Sequence, residues 1–361
     1  MRRHLTALFC LAVLFCPGGS YAYAQIKAAT ADSSLRFGDT QVTRYRISLS
    51  VTAKRGAVRD VFATMAVPIS CPEQEVELIE DDISDYVRSH DYRFLQGGGA
   101  RQMLIRIPQL PNRAEAHAIL TFEVRTRVIL PPEETSELTI PKKPPRELKL
   151  YLGKSPFIET RHSKFKKLTK QIFEKLENSQ TEPSENVSDA ASGDPVSGEL
   201  ASAGGDETPS KTLPAPITDW QRVEAIYDYV QDTIKYVEGP DKSALATLKA
   251  GQGDCQNISA LFVALCRTKK IPARIVWVHQ HNYPEFCLAD AQGKLHWFPC
   301  ESSGTRAFGE MPLARVIMQK GDNFKVPEHK KARHSTSFYL TGLPAAPGGG
   351  PPSYKFNSET L

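Results

Sequence analysis

The sequence predicts an α+β fold, with helices preceding an antiparallel sheet, placed behind an N-terminal antiparallel β-sandwich. Two patterns carry that expectation. Residues 42–130 alternate apolar and polar side chains, as Tyr45, Ile47, Leu49 and Val51 do, and period two buries one face of a strand and wets the other. From Thr218 onward apolar residues recur first at helical spacing and then in short strand-like runs, which is helix followed by sheet.

The chain opens with Met1-Arg-Arg-His4, an apolar run from Leu5 to Cys16 and the small-x-small Ala22-Tyr-Ala24. The run is too short to span a bilayer, so residues 1–24 are expected to be a secretory signal peptide with Gln25 as the mature first residue. Phe15 before Cys16 speaks against a lipoprotein signal. The protein is therefore expected to be exported, periplasmic or extracellular. Cleavage removes Arg2 and Arg3 and lowers the formal net charge of +4 by two, which leaves too little charge to point to nucleic acid. No later apolar run is long enough for a transmembrane segment after cleavage. The 40% hydrophobic and 24% charged content is that of a soluble globular protein.

The sandwich is expected over 25–135. Leu120, Phe122 and Val124 alternate, Met103 to Ile107 forms another short run, and turns fall at Gly97-Gly98-Gly99 and Pro111-Asn112. Residues 136–177 read as a Pro/Lys-rich connector and then a helix striped by Phe165, Leu168, Ile172 and Leu176. Residues 178–216 read as a disordered insertion, because Asn178 to Ser210 has no aromatic, Lys or Arg and cannot bury enough apolar surface to offset chain entropy. The second domain is expected over 217–335. Trp220, Val223, Tyr227, Val230 and Ile234 stripe one helix, and a second covers about Ser243 to Ala250. A third opens at Cys255 with Ile258, Leu261, Phe262 and Leu265 facing the core. Strands follow at Ala273 to Val278 and near 281–289 and 294–301. Residues 336–361, Pro/Gly-rich from about Gly342, read as a flexible tail.

The chemistry lies between Gly251 and Glu301. In Gly251-Gln-Gly-Asp-Cys255 the cysteine starts a helix, Asp254 is a good N-cap, and the glycines let the backbone turn tightly. Orphan N–H groups and the helix dipole favour a thiolate there. Such a nucleophile needs an imidazole, and His279, His281 and His296 are the candidates. His279 and His281 are expected on one strand face, and His281 is set apart by its place in His-x-aromatic-x-acid. Glu301 can orient the ring if the last two strands form a hairpin; a register that sets 281 opposite 301 centres the turn on Ala291, within Asp290 to Lys294, and a shift by two residues is equally allowed. A zinc site built from Cys287, Cys300, His279 and His296 would lack any Cys-x-x-Cys or helical His pair, and no cofactor is expected. A Ser nucleophile elbow, a P-loop and a dinucleotide glycine fingerprint are all missing. The mature chain keeps Cys71, Cys255, Cys266, Cys287 and Cys300, an odd number that leaves at least one free thiol.

Taken in order, Gly253-Asp-Cys255, Ser259 to Arg267, Ile271-Pro-Ala-Arg274, His281-Asn-Tyr283-Pro-Glu285 and Trp297-Phe-Pro-Cys-Glu301 resemble the transglutaminase-like superfamily, the papain-related group with Cys, His and Asp in that chain order. The resemblance covers about residues 217–304, and the N-terminal sandwich is similar to β-domains that often precede such modules in exported bacterial proteins. It implies a nucleophile at Cys255, a base at His281 and an orienting acid at Glu301. Two positions depart from the family pattern: Glu301 stands where Asp is usual, and Tyr283 where Trp is usual.

Two functions follow as expectations. One is an exported cysteine protease or transglutaminase-like acyltransferase acting on protein or peptide substrates. The other is an inactive module of the same fold that serves protein binding or assembly with envelope proteins. The glycine-rich loop favours the first and Glu301 the second.

Overall fold

The computed structural model describes residues 35–95, 98–181 and 216–361. The expected signal peptide and nearly all of the expected insertion lie outside the described residues. Strands β1 (Arg36–Thr52), β2 (Val58–Val67), β3 (Gln74–Ile83), β4 (Ser89–Leu95), β5 (Ala100–Leu110) and β6 (Glu115–Leu130) build the N-terminal part. Helices α1 (Ser163–Thr181) and α2 (Asp219–Thr233), strand β7 (Lys235–Tyr236), helix α3 (Ala244–Ala250), strand β8 (Gln252–Gly253) and helix α4 (Cys255–Thr268) follow. The chain ends in β9 (Ala273–Val278), β10 (His281–Ala289), β11 (Leu295–Glu301), β12 (Ala307–Phe308), β13 (Ile317–Lys320), β14 (Phe338–Pro344) and β15 (Ser353–Thr360). The fold is mixed α+β with mostly antiparallel pairing.

One sheet runs β15-β1-β6-β3, and a second runs β12-β11-β10-β9-β13-β5-β2-β14 with β4 beside β5. The sandwich core lies between the first sheet and the β5–β2 side of the second, filled by Ile47, Leu49, Met65, Met103, Ile105, Leu120 and Phe122. These are the inward positions of the period-two runs. The other half of the second sheet carries the helices. Helix α4 is buried along nearly its whole length, with the polar Asn257, Ser259 and Arg267 buried among its apolar residues. It packs on β9 and β10 on one side and on α1, α2 and α3 on the others.

Two boundaries differ from the expectation. The tail from residue 336 is ordered structure: β14 pairs with β2 and β15 with β1, so one C-terminal strand completes each sandwich sheet. Phe338, Leu340 and Phe356 pack on the sandwich core, and Phe338 and Phe356 stack at 5.1 Å. The Pro/Gly-rich stretch that suggests a loose end is the crossover between the sheets, where the chain must turn without pairing. The segment 136–177 is likewise more than a connector. Leu138, Ile158 and Phe165 are buried in the same core as α2 and α4, so α1 belongs with the second unit.

Candidate active site

The loop before Cys255 is held by backbone geometry. Helix α3 ends at Gly251 with φ +64°, the left-handed conformation that glycine adopts without strain. Gly253 has no such torsion but no room either: a Cβ there would lie 2.6 Å from the Cβ of Asn257. Parallel pairing of β7 with β8 fixes the loop from the other side, through Lys235 N–H to Gly251 C=O and Val237 N–H to Gly253 C=O, both 2.9 Å. Asp254 caps α4 by accepting from the Asn257 N–H at 2.9 Å. Cys255 therefore sits at the first turn of α4, half-buried, with its sulfur at the end of β10.

His281 opens β10 directly after a turn in which Gln280 takes φ +55°. Its ring hydrogen-bonds the Cys255 thiol group, and its Nε2 lies 2.9 Å from Oε2 of Glu301. Burial by itself would lower the pKa of this imidazole, but the bonds to Cys255 and Glu301 and the charge of that carboxylate outweigh burial and raise it from 6.5 to about 9. Burial raises the Glu301 pKa, but His281, the Ser303 N–H and Arg315 together hold the carboxyl below its ordinary value. Ser303 donates to Oε1 from both its N–H and its hydroxyl at 3.2 Å. The Arg315 Nη1 lies 3.6 Å from Oε2. The Tyr227 hydroxyl on α2 donates to the Glu301 carbonyl at 2.7 Å and accepts from the Ala307 N–H at 3.0 Å. This anchors the backbone under the acid.

The hairpin register differs from the one that centres the turn on Ala291. Glu285 faces Pro299 and Ala289 faces Leu295, which continues to place Glu301 opposite Tyr283. The shift is two residues, and the ring and carboxylate meet along a diagonal on one face. Diagonal neighbours are within reach of long side chains, and Glu is one methylene longer than Asp. Gly304 makes space for it: a Cβ at 304 would lie 3.2 Å from the Glu301 Cγ. The turn itself uses Gly293 at φ +79°, with its N–H donating to the Asp290 C=O at 2.9 Å.

The other two histidines lie elsewhere. His279 is not on a strand face with His281 but in the β9–β10 turn, where its Nδ1 is 2.9 Å from the Tyr45 hydroxyl of the sandwich. There it lines a cavity of about 170 Å³ together with Trp277, Gln280, Met318 and Phe356. His296 is buried beside the hairpin turn, with its Nε2 2.7 Å from Asp290. Among the described residues, Cys71, Cys255, Cys266, Cys287 and Cys300 form no disulfide. Burial pushes the Cys71, Cys266 and Cys300 thiols up.

Residues 210–310 match the model of the transglutaminase-like superfamily. This stretch is similar to the transglutaminase-like superfamily. The chain also superposes on a protein from Cytophaga hutchinsonii, assigned provisionally as a cysteine protease, at a TM-score of 0.51 and 14% identity, covering 91% of this chain and 93% of the other. That likeness is one of fold. A provisionally assigned protease from Parabacteroides distasonis shares 11% identity over 77% of this chain and 72% of its own, at a TM-score of 0.23. No curated protein matches the chain. Among the described residues, no helix is long and apolar enough to cross a membrane.

Sequence reasoning missed four residues around the candidate site: Tyr227, Ser303, Arg315 and Asn282. The last donates from its Nδ2 to the Cys255 sulfur at 3.2 Å. Its signal was present, an amide between His281 and Tyr283 in a strand buried from Asn282 to Ala289. Ser303 lies only two residues beyond Glu301, whereas Tyr227 and Arg315 act from parts of the chain whose approach to Glu301 no local pattern encodes.

Proposed function

We propose that this protein is an exported thiol enzyme of acyl transfer, acting on peptide or carboxamide bonds through Cys255, His281 and Glu301. One observation carries it: a single imidazole bridges a thiol at a helix start and a buried carboxylate, with 2.9 Å to the acid. In this reading the sulfur is a thiolate paired with the imidazolium. It attacks the carbonyl carbon, a C–S bond forms, and the π pair moves onto oxygen. His281 gives its proton to the departing amine as the C–N bond breaks. Water or an amine then releases the acyl group, returning one proton to the ring. Glu301 holds the ring in position and favours its charged form. The Cys255 backbone N–H, an orphan donor in the first turn of α4, is one oxyanion ligand.

The Glu-for-Asp departure, which taken from sequence favours an inactive binding module, is met here by a diagonal register and by the space at Gly304. Protein or peptide substrates, envelope proteins among them, fit an exported enzyme of this class.

Selective alkylation tests the proposal. Iodoacetamide at pH 7 should give one adduct, on Cys255, because Cys266, Cys287 and Cys300 are buried and burial keeps Cys71 protonated. His281→Ala should slow that adduct at least tenfold. Labelling spread over several cysteines, or unaffected by His281, would leave the chain as a binding module. Export is tested by the mature N-terminus: mass spectrometry on protein from its native host should find Gln25 or its cyclised form, and intact Met1 would refute it.

A further inference from the structure

We propose that Asn282 is the side-chain donor of the acyl-transfer step, donating to the oxyanion once the carbonyl is attacked; this rests on the thiol-enzyme reading above. Strand alternation turns Asn282 to the side of β10 on which Phe286 and Leu288 meet α4. Its neighbour across the ladder is Trp277. Asn282 is 4% exposed, and its Nδ2 lies 3.2 Å from the Cys255 sulfur.

Its Oδ1 is buried with no hydrogen-bond partner among the described residues. A buried amide left half unbonded costs about 1–3 kcal/mol, and an apolar side chain at this strand position would avoid that cost. Stability therefore does not account for the amide. The orientation follows from chemistry: a thiolate only accepts, so an amide turned the other way would aim oxygen lone pairs at it.

The proton bookkeeping separates Asn282 from His281. The imidazolium must surrender its proton to the leaving amine, so it cannot also remain a full donor to the oxyanion. The amide keeps both its protons throughout. When the C–S bond forms, charge leaves the sulfur and appears on an oxygen two bonds away. A donor already beside that sulfur needs only a small rotation to follow the charge. Together with the Cys255 N–H it makes a two-donor oxyanion site.

Two probes distinguish this role from a structural one. Iodoacetamide alkylates a thiolate without forming an oxyanion; p-nitrophenyl acetate acylates it through one. Both would be applied to the mature chain carrying Asn282→Ala, Asn282→Leu or His281→Ala, with thermal melting to show that each variant is folded. Asn282→Leu keeps the branched outline of the side chain and leaves no cavity, so it covers a failure of the alanine variant to fold. The Asn282 variants should lose about 10²–10³-fold in acylation rate while alkylation stays within about fivefold of the parent. His281→Ala should lose both reactions. If the Asn282 variants acylate within about threefold of the parent while His281→Ala does not react, the donor assignment is overturned and the thiol-enzyme reading stands. An equal fall in both reactions for the Asn282 variants likewise overturns the oxyanion role. If His281→Ala reacts like the parent with both probes, the thiol-enzyme reading falls and takes this proposal with it.

Discussion

Glu301→Gln keeps the size of the side chain and a hydrogen bond to His281 but removes the charge. In the folded protein burial works against the charged ring, yet its bonds to Cys255 and Glu301 and that carboxylate raise the pKa from 6.5 to about 9. An opposite charge at this range moves a pKa by about 1–3 pH units. Glu301 shares the effect with Cys255, so its removal should bring the His281 titration down by about 1–2 pH units. The sign for stability follows. A raised histidine pKa stabilises the fold below 6.5, and that contribution disappears as pH rises through about 9. The lowered Glu301 pKa stabilises it above 4.5 and is lost as pH falls through the folded value. The pair therefore acts between those limits. A rise to about 9 corresponds to roughly 3 kcal/mol at about 1.4 kcal/mol per pH unit, and the ring is 20% exposed, so solvent screening leaves about 1–2 kcal/mol. Glu301→Gln should lose that amount at pH 6 in denaturant melts and match the parent near pH 10. The titration is read directly from the imidazole nitrogens by NMR. A His281 that still titrates near 9 in the variant would refute the ion pair, and a stability loss equal at pH 6 and pH 10 would show that the carboxylate acts by packing alone.

Gly253→Ala places a methyl 2.6 Å from the Asn257 Cβ, so the start of α4 must shift. Overpacking of this kind costs about 1–3 kcal/mol, and the Cys255 alkylation rate should fall by at least tenfold; a variant that melts and alkylates like the parent would show that the loop yields freely. Truncation after Ser337 removes β14 and β15 and uncovers an edge on each sandwich sheet. With Phe338, Leu340 and Phe356 lost at about 1–2 kcal/mol each, stability should drop by more than about 3 kcal/mol. A truncated chain that melts with the full one would show that the tail contributes nothing to the sandwich.

By itself the sequence determined the class of the fold, the order of its elements and the identity of the central candidates. Period two in β1 and β6 and the stripes of α2 and α4 are local consequences of which residues face a core, so they can be read without coordinates. Gly251, Gly253 and Asp254 before Cys255 are legible for the same reason, since a left-handed cap, a close approach and an N-cap are each decided within a few residues. What crosses long stretches of chain was decided by tertiary structure. The hairpin register depends on how the turn at Gly293 closes, and a shift of two residues keeps the same face toward the core. The tail is strand because two sandwich edges are available to it, while its own composition describes only the crossover. His279 turns to Tyr45, some 230 residues away in the chain, and Arg315 and Tyr227 converge on Glu301. Asn282 meets Cys255 because β10 packs on α4. Side-chain chemistry is local, but the partner of a buried polar group is set by which surfaces the whole chain brings together.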